Sequence, residues 1–281
     1  MENGPHMTTD SIQYEIFRKG SRTYFTSSLF FPPGMRDDVS VLYAFVRSAD
    51  DFVDAVPQDK EGFYRFRDLY HRSLKGTKVG SVVIDGFVEL MNKKKFDPEW
   101  VDAFFHSMEL DLVKSVYATL DETLEYIYGS AEVIGLFMSR IMHLPREAHD
   151  AARMQGRAMQ YINFIRDIKE DLEFGRQYLP LEGSGLESLK YEHAIGHSRR
   201  FMEFHRKQVA LYEKWQAEAE EGYAYIPARF LVPIKTAAEM YLWTADRIRE
   251  NPFIVYEKKV KPPRYIIVLK ILSNMWSIGI K

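Results

Sequence analysis

Apolar residues recur along the chain at intervals of three and four rather than in alternation, and glycine and proline cluster between these stretches. That period predicts helices from about Asp10 to Thr26, from Gly34 to Ala55 behind Pro32-Pro33, and from Lys60 to Lys75. Others are expected at Val82 to Lys94, Pro98 to Lys114, Thr119 to His143 and Arg146 to Phe174. A loop from Tyr178 to Leu186 precedes further helices near Glu187 to Ile195, Arg199 to Glu221 and Ile226 to Glu250. Thr119-Leu120-Asp121-Glu122 has the form of a capping box, in which the Thr119 hydroxyl and the Glu122 carboxylate take free amides at a helix start. The expected fold class is all-α, and without an internal repeat or a long low-complexity linker a single domain is expected.

Composition narrows the possibilities. With 281 residues, 46% of them hydrophobic, the chain is long and apolar enough to bury a sizeable core, which excludes disordered and fibrous classes. A formal net charge of −2 gives no global attraction to nucleic acid, so no nucleic-acid partner is expected. There is no cysteine, which removes disulfides and thiolate chemistry and fits a cytoplasmic location. Apolar runs fall short of the roughly 20 residues that span a bilayer, so no transmembrane helix is expected. Met1 to His6 lack the layout of a secretory signal. Gly4-Pro5-His6-Met7 reads as a cloning scar joined to a native start, so residues 1–6 are set aside and the domain is assigned to 7–281. Near the end, Lys258, Lys259, Lys261 and Arg264 precede an apolar run from Tyr265 to Trp276. Two readings stand for that run: a terminal helix packed on the domain, or peripheral contact with the anionic inner face of the cell membrane.

Candidate chemistry lies in two acidic stretches. Asp50 and Asp54 are four apart, one helical turn on one face, while Asp51 points elsewhere. Gln160, Asn163, Asp167 and Asp171 step by three, four and four, drawing a polar stripe beside Met159, Ile162, Ile165 and Ile168. Like charges at that spacing cost a helix roughly 0.2–0.5 kcal/mol per pair. Either the stripes are solvated faces, or a compensating cation is drawn to them. A hard divalent ion such as Mg²⁺, which takes carboxylate oxygens and shares substrate phosphates, would let two facing stripes hold a diphosphate.

The same residues carry a resemblance. The segment Val41 to Asp54 resembles the first aspartate-rich motif of the squalene and phytoene synthases, and Gln160 to Asp171, continuing through Gly175-Arg176-Gln177-Tyr178-Leu179-Pro180, resembles their second. Ser21-Arg22-Thr23-Tyr24-Phe25, Met108 to Leu112, Tyr117-Ala118-Thr119 and Tyr126 to Ala131 extend the likeness from about Ile16 to Leu179. The resemblance implies an isoprenoid-synthase helical fold around a central cavity, and head-to-head condensation of two allylic prenyl diphosphates through a cyclopropyl diphosphate. It makes Asp50, Asp54, Asp167 and Asp171 magnesium ligands, with Asn163 in support. Ser21, Arg47, Gln160 and Arg166 would bind substrate, and Tyr126 would lie near the reacting carbons, where its ring stabilises a carbocation. Phe25, Phe45, Leu136 and Phe137 would set cavity depth.

The leading expectation is phytoene from two geranylgeranyl diphosphates, which needs no NADPH. The alternative is a C30 enzyme using farnesyl diphosphate to give squalene, dehydrosqualene or presqualene diphosphate. No Gly-x-Gly-x-x-Gly follows a strand, although squalene synthases bind NADPH without one. A noncatalytic helical scaffold is the reading from another class, and retention of all four aspartates argues against it. The chain departs from the family's commonest central motif: Ile127 replaces a cysteine and Glu132 stands where glycine is usual, as in archaeal phytoene-synthase-like proteins. Glu132 is left facing solvent, a cation or the cavity. His193 and His197 have the spacing of zinc ligands but no third ligand nearby, and an ordinary structural role is expected for them.

Overall fold

The structure is a computed structural model that describes residues 9–279. The presumed cloning remnant lies outside those residues. The described chain is helical, with fifteen α-helices and a single isolated bridge between Val116 and Gln177. They are α1 (Thr9–Gly20), α2 (Arg22–Ser28), α3 (Pro33–Asp54), α4 (Lys60–Leu74), α5 (Val82–Lys94), α6 (Pro98–Val113), α7 (Leu120–Ile127) and α8 (Val133–Ile141). After them come α9 (His149–Arg166), α10 (Ile168–Glu173), α11 (Tyr191–Gly196), α12 (Ser198–Glu220), α13 (Ala228–Glu250), α14 (Ile254–Glu257) and α15 (Arg264–Ser277).

The boundaries follow local chemistry. Pro33 opens α3 at a position whose amide would have no helical partner, and Pro98 does the same for α6 behind an Asp97 cap. At α7 the Thr119 hydroxyl accepts from the Glu122 amide, as expected, but the Glu122 carboxylate reaches one residue further back, to the Ala118 N–H at 2.7 Å.

Three long predicted helices are interrupted. The first breaks at Ser21, whose hydroxyl caps α2 by accepting from the Tyr24 amide at 3.2 Å. Between α7 and α8 the chain loosens into a π-turn, Tyr128–Glu132. Gly129 there lies so near α6 that an added Cβ would sit 2.0 Å from the Ala103 carbonyl oxygen, and on α9 a Cβ at Gly156 would meet that of Ala131 at 2.3 Å. The third break is at Asp167, where ψ moves to 17° between α9 and α10, although the Asp171 amide still donates to the Asp167 carbonyl.

Two apolar clusters form the core. The first gathers α3, α5 and α6, with Phe45 stacked on Phe87 at 3.7 Å. Phe45, Leu136 and Phe137 are buried, and Phe45 and Phe137 belong to this cluster, with Phe25 packed against it, so these two rings are packed core rather than open cavity wall. The second cluster gathers α7, α9 and α12 around Tyr161, Phe164, Phe201 and Tyr212. Asp50 and Asp54 ride on α3 from the first cluster, Asp167 and Asp171 on the α9–α10 junction from the second.

Candidate active site

The last turns of α3 carry the first pair. Asp50 keeps some accessible surface yet is enclosed by protein, the condition of a group facing an internal space, and its carboxyl is pushed up to about 7 by burial and then by the charge of Asp54. Asp54 is paired: Arg176 Nη1 lies 3.0 Å from its Oδ1, and Arg176 Nη2 donates to the Val53 carbonyl at 2.7 Å. Arg47 reaches Asp51 at 2.6 Å, one turn along the same helix, and so occupies the aspartate that lies off the stripe.

The second pair is arranged in the same sense. Arg166 grips its neighbour Asp167 with two bonds, of 2.7 and 2.5 Å, and Lys259 Nζ stands 3.4 Å from Asp167 while bonding Glu170. Asp171 has no such partner among the described residues. Burial and then the Asp167 charge push its carboxyl up to about 8. On the same stripe Gln160 is half-buried, and Asn163 has a buried side-chain oxygen without a hydrogen-bond partner. The Ser21 oxygen caps α2, the helix bearing Tyr24, by accepting from the Tyr24 amide, a bond that does not use its O–H as donor. Tyr24 keeps 46% of its surface reachable, yet Tyr241 and burial raise its phenol while Arg166 opposes them, which brings α2 and α13 beside the second motif.

Tyr126 is buried on α7, and its hydroxyl donates to Asp111 Oδ2 at 2.7 Å. The Tyr178 hydroxyl donates to the other oxygen of the same carboxylate, also at 2.7 Å, and Arg176 Nε lies 3.9 Å from it. Burial raises the Asp111 carboxyl, opposed chiefly by Arg176. Arg176 thus joins Asp54 to Asp111, and through Asp111 to two tyrosines. A pocket of about 390 Å³ opens beside Asp54, with Asp111, Lys114 and Arg176 on its wall and the exposed Val56, Val113 and Phe174 around them. A space of about 10 Å³ is bounded by Asp171, Arg176 and Tyr178.

The structure therefore places Asp54 and Asp171 around one guanidinium, whose charge holds the Asp171 carboxyl back from rising further. Asp111, Arg176 and Tyr178 were not among the predicted site residues, although Met108 to Leu112 and Gly175 to Tyr178 lay inside the family-like segments. Glu132 proves to be fully buried and paired twice, with Arg153 at 2.9 Å and Arg157 at 2.6 Å, so it faces cations rather than solvent. His193 and His197 stack ring on ring, and His193 Nε2 accepts from the Glu187 amide, which is a structural arrangement.

The donor set suits a hard divalent ion. It is all oxygen, two carboxyls are raised by burial and by a neighbouring aspartate, and the Asn163 oxygen is unclaimed. Among the described residues no three acidic or histidine side chains converge on one point. Each ion would then take one or two carboxylates and complete its shell with water and phosphate oxygens, which is the habit of Mg²⁺.

The Squalene/phytoene synthase family model matches residues 17–265. A 15-cis-phytoene synthase of Paracoccus sp. is 28% identical over 256 residues, covering 88% of this chain and 84% of that protein. One from Pantoea ananas is 28% identical over 254 residues, covering 85% and 81%. Among solved structures, a dehydrosqualene synthase in complex with ligand superposes with a TM-score of 0.83 at 18% identity over 96% of both chains. A squalene synthase from Alicyclobacillus acidocaldarius gives 0.75 at 20% identity, covering 87% of this chain and 94% of that one.

Proposed function

The chain belongs to the squalene/phytoene synthase family, and on that premise we propose that it condenses two geranylgeranyl diphosphates head to head to phytoene, through a cyclopropyl diphosphate. The observation that carries this reading is that Arg176 links one aspartate of each motif, paired with Asp54 at 3.0 Å and opposing the rise of the Asp171 carboxyl, while among the described residues Asp50 and Asp171 have no ion pair. The C20 substrate is supported by the phytoene synthases that match along more than four-fifths of their length.

Asp50 and Asp54 on one side, and Asn163, Asp167 and Asp171 on the other, would hold Mg²⁺, which when bound supplies positive charge to a departing diphosphate. Arg47 and Arg166 bind diphosphate oxygens through guanidinium forks, and Ser21 and Gln160 add hydrogen bonds. Both arginines pair with aspartates, Arg47 with Asp51 and Arg166 with Asp167, and substrate would take them over from those partners. The first allylic cation is attacked by the double bond of the second substrate, and proton loss closes the cyclopropane. A second ionisation, rearrangement and proton loss give the hydrocarbon without a reductant. Tyr126 turns its negative ring face to the cationic carbon. Buried Tyr117, Tyr126, Phe164 and Tyr178 keep water from quenching it to an alcohol.

Incubation with geranylgeranyl or farnesyl diphosphate and Mg²⁺, with and without NADPH, followed by hydrocarbon analysis, tests the proposal. Phytoene from the C20 substrate without NADPH is expected. Turnover of the C15 substrate alone would replace it with the C30 reading.

The second part of the proposal is a peripheral position on the inner face of the cell membrane. No described helix is long and apolar enough to cross a membrane. The inner side of α15 is tied to α13, where the Asn274 amide donates to Thr236 and Glu239 at 3.1 and 3.0 Å. Its outer side leaves Tyr265, Leu269, Leu272 and Trp276 exposed, the last at 87%, beside the exposed Lys261 and Arg264. Co-sedimentation with vesicles of anionic lipid is expected, to be weakened by Trp276→Ala and high salt. No binding to anionic or neutral vesicles would refute it.

A further inference from the structure

Beside the stripe aspartates, a single buried carboxylate organises two phenols. Asp111 sits near the end of α6, 7% exposed, and its two oxygens accept from Tyr126 and Tyr178, each at 2.7 Å. Its backbone is fixed as well: the Gln58 amide donates at 2.8 Å to the carbonyls of both Asp111 and Val53, clamping the end of α6 to the end of α3. The phenol rings are held from their other sides. Tyr178 lies parallel to Phe164 at 4.3 Å and its centroid is 5.0 Å from that of Tyr126, while Tyr117 stands 5.4 Å from both tyrosines. The bridge at Val116 and Gln177, with the Tyr117 amide donating to the Gln177 carbonyl at 3.0 Å, sets Tyr117 and Tyr178 side by side.

A phenol that donates to a carboxylate gains electron density on its oxygen and ring, and a more negative ring face attracts a cation more strongly. Two phenols on one carboxylate gain it together, and neither ring can turn without breaking a charge-assisted bond. Arg176 keeps a positive charge near that carboxylate while also holding Asp54, so the tyrosine pair and the first acidic motif share one guanidinium.

We propose that Asp111 is a positioning residue which holds and polarises Tyr126 as a ring face for the cationic hydrocarbon, with Tyr178, stacked on Phe164 and Tyr117, as the second phenol that locks the carboxylate in place, without itself binding metal or diphosphate. This rests on the condensation reading above. It assigns the Tyr126 ring to steering the cation: with the ring well held, the cyclopropyl diphosphate is carried on to hydrocarbon, and with the ring loose, more of it is released or quenched by water to alcohol.

The test compares wild type, Asp111→Asn, Tyr178→Phe and the double variant, with Mg²⁺ and whichever prenyl diphosphate the wild type converts. Turnover, KM and the ratio of hydrocarbon to released cyclopropyl diphosphate and alcohols are measured. Asp111→Asn is expected to lower kcat about 10-fold to 100-fold with KM changed less than about 3-fold, and to shift the ratio toward released intermediate and alcohol. Tyr178→Phe should shift the ratio in the same direction by less, and add little on top of Asp111→Asn. A purely architectural carboxylate would lower thermal stability and total turnover while leaving the ratio at its wild-type value, and that result in both variants overturns the proposal. A KM rise matching the loss in kcat/KM would also overturn it, by making Asp111 a binding residue. Should Asp111→Asn not fold, the ratio in Tyr178→Phe decides alone. A wild type that makes no condensation product from either substrate refutes the condensation reading and this inference with it, whereas an active wild type with variants of unchanged ratio refutes the inference only.

Discussion

The two acidic motifs share a spacing of four and treat their paired carboxylates alike, but they obtain their cations differently. On the unbroken α3, Asp54 is met by Arg176, 122 residues further along, while Asp50 has no ion pair and its carboxyl is pushed up to about 7. At the α9–α10 break, Asp167 is met by its own neighbour Arg166 and by Lys259, while Asp171 is left bare and pushed up to about 8. Each motif thus keeps one carboxylate neutralised by the chain and one waiting. The difference lies in what holds the motif together. The first is linked across the molecule through a residue that follows the second, and the second is closed locally by a kink that turns Arg166 onto Asp167. Loss of a bare aspartate should therefore remove a seat for an added cation, and loss of a paired one should free an arginine.

The sharpest way to break this comparison is to delete the bare members. Asp50→Ala and Asp171→Ala should each lower turnover by about 1,000-fold or more while helical circular dichroism stays nearly unchanged. The metal-free variants should unfold at a higher temperature than wild type at pH 8, because an unpaired enclosed charge has been removed. Full activity in both variants would show that these carboxylates hold no essential ion.

Glu132 supplies a contrast in which both charges are provided by the chain. It is fully buried between Arg153 and Arg157, so Glu132→Ala strands two guanidiniums and should cost about 3–5 kcal/mol in a denaturant titration. A cost near zero would mean the pair of bonds contributes nothing net.

The raised carboxyls also predict a pH dependence whose sign is fixed. Between the unfolded aspartate range near 4 and the folded values of about 7 and 8, the native metal-free chain binds more protons than the unfolded one. Stability from these two groups is therefore fully present at low pH and is lost as pH rises through 7 and 8. Mg²⁺ must displace those protons, so its apparent affinity should rise about 10-fold or more from pH 6 to pH 8.5. An affinity independent of pH in that interval would contradict the assignment. The smallest effect is expected at Asp51, which lies off the stripe and pairs only with Arg47 on the surface: Asp51→Ala should change stability by less than about 0.5 kcal/mol.

Much of this was legible in the sequence because it is local. Helical period, proline starts and the Thr119 cap depend on neighbours within a turn, and so does the i, i+4 spacing of each aspartate pair. The breaks at Tyr128–Glu132 and at Asp167 were not legible, because they depend on distant residues. The π-turn at Tyr128–Glu132 is accommodated by close approach of α6 and α9 to its backbone, and the kink at Asp167 coincides with pairing to Arg166 and to the distant Lys259. Asp111 looked like one acid between Leu110 and Leu112 on an apolar helix, and only the fold brings Tyr126, Tyr178 and Arg176 to it. The signal available was its place in the family-like stretch Met108 to Leu112. Glu132 was recognised as a departure, but its partners on α9 needed the packing of the π-turn to be found.

We propose that Asp50 and Asp171 both hold the metal ion and diphosphate of one site. Calorimetry with an unreactive prenyl thiolodiphosphate, run with and without Mg²⁺ in buffers of different ionisation enthalpy, measures it directly. The account predicts binding that requires Mg²⁺, releases protons at pH 7, and is lost in Asp50→Asn combined with Asp171→Asn. Equal binding without Mg²⁺, or undiminished binding in the double variant, would contradict it.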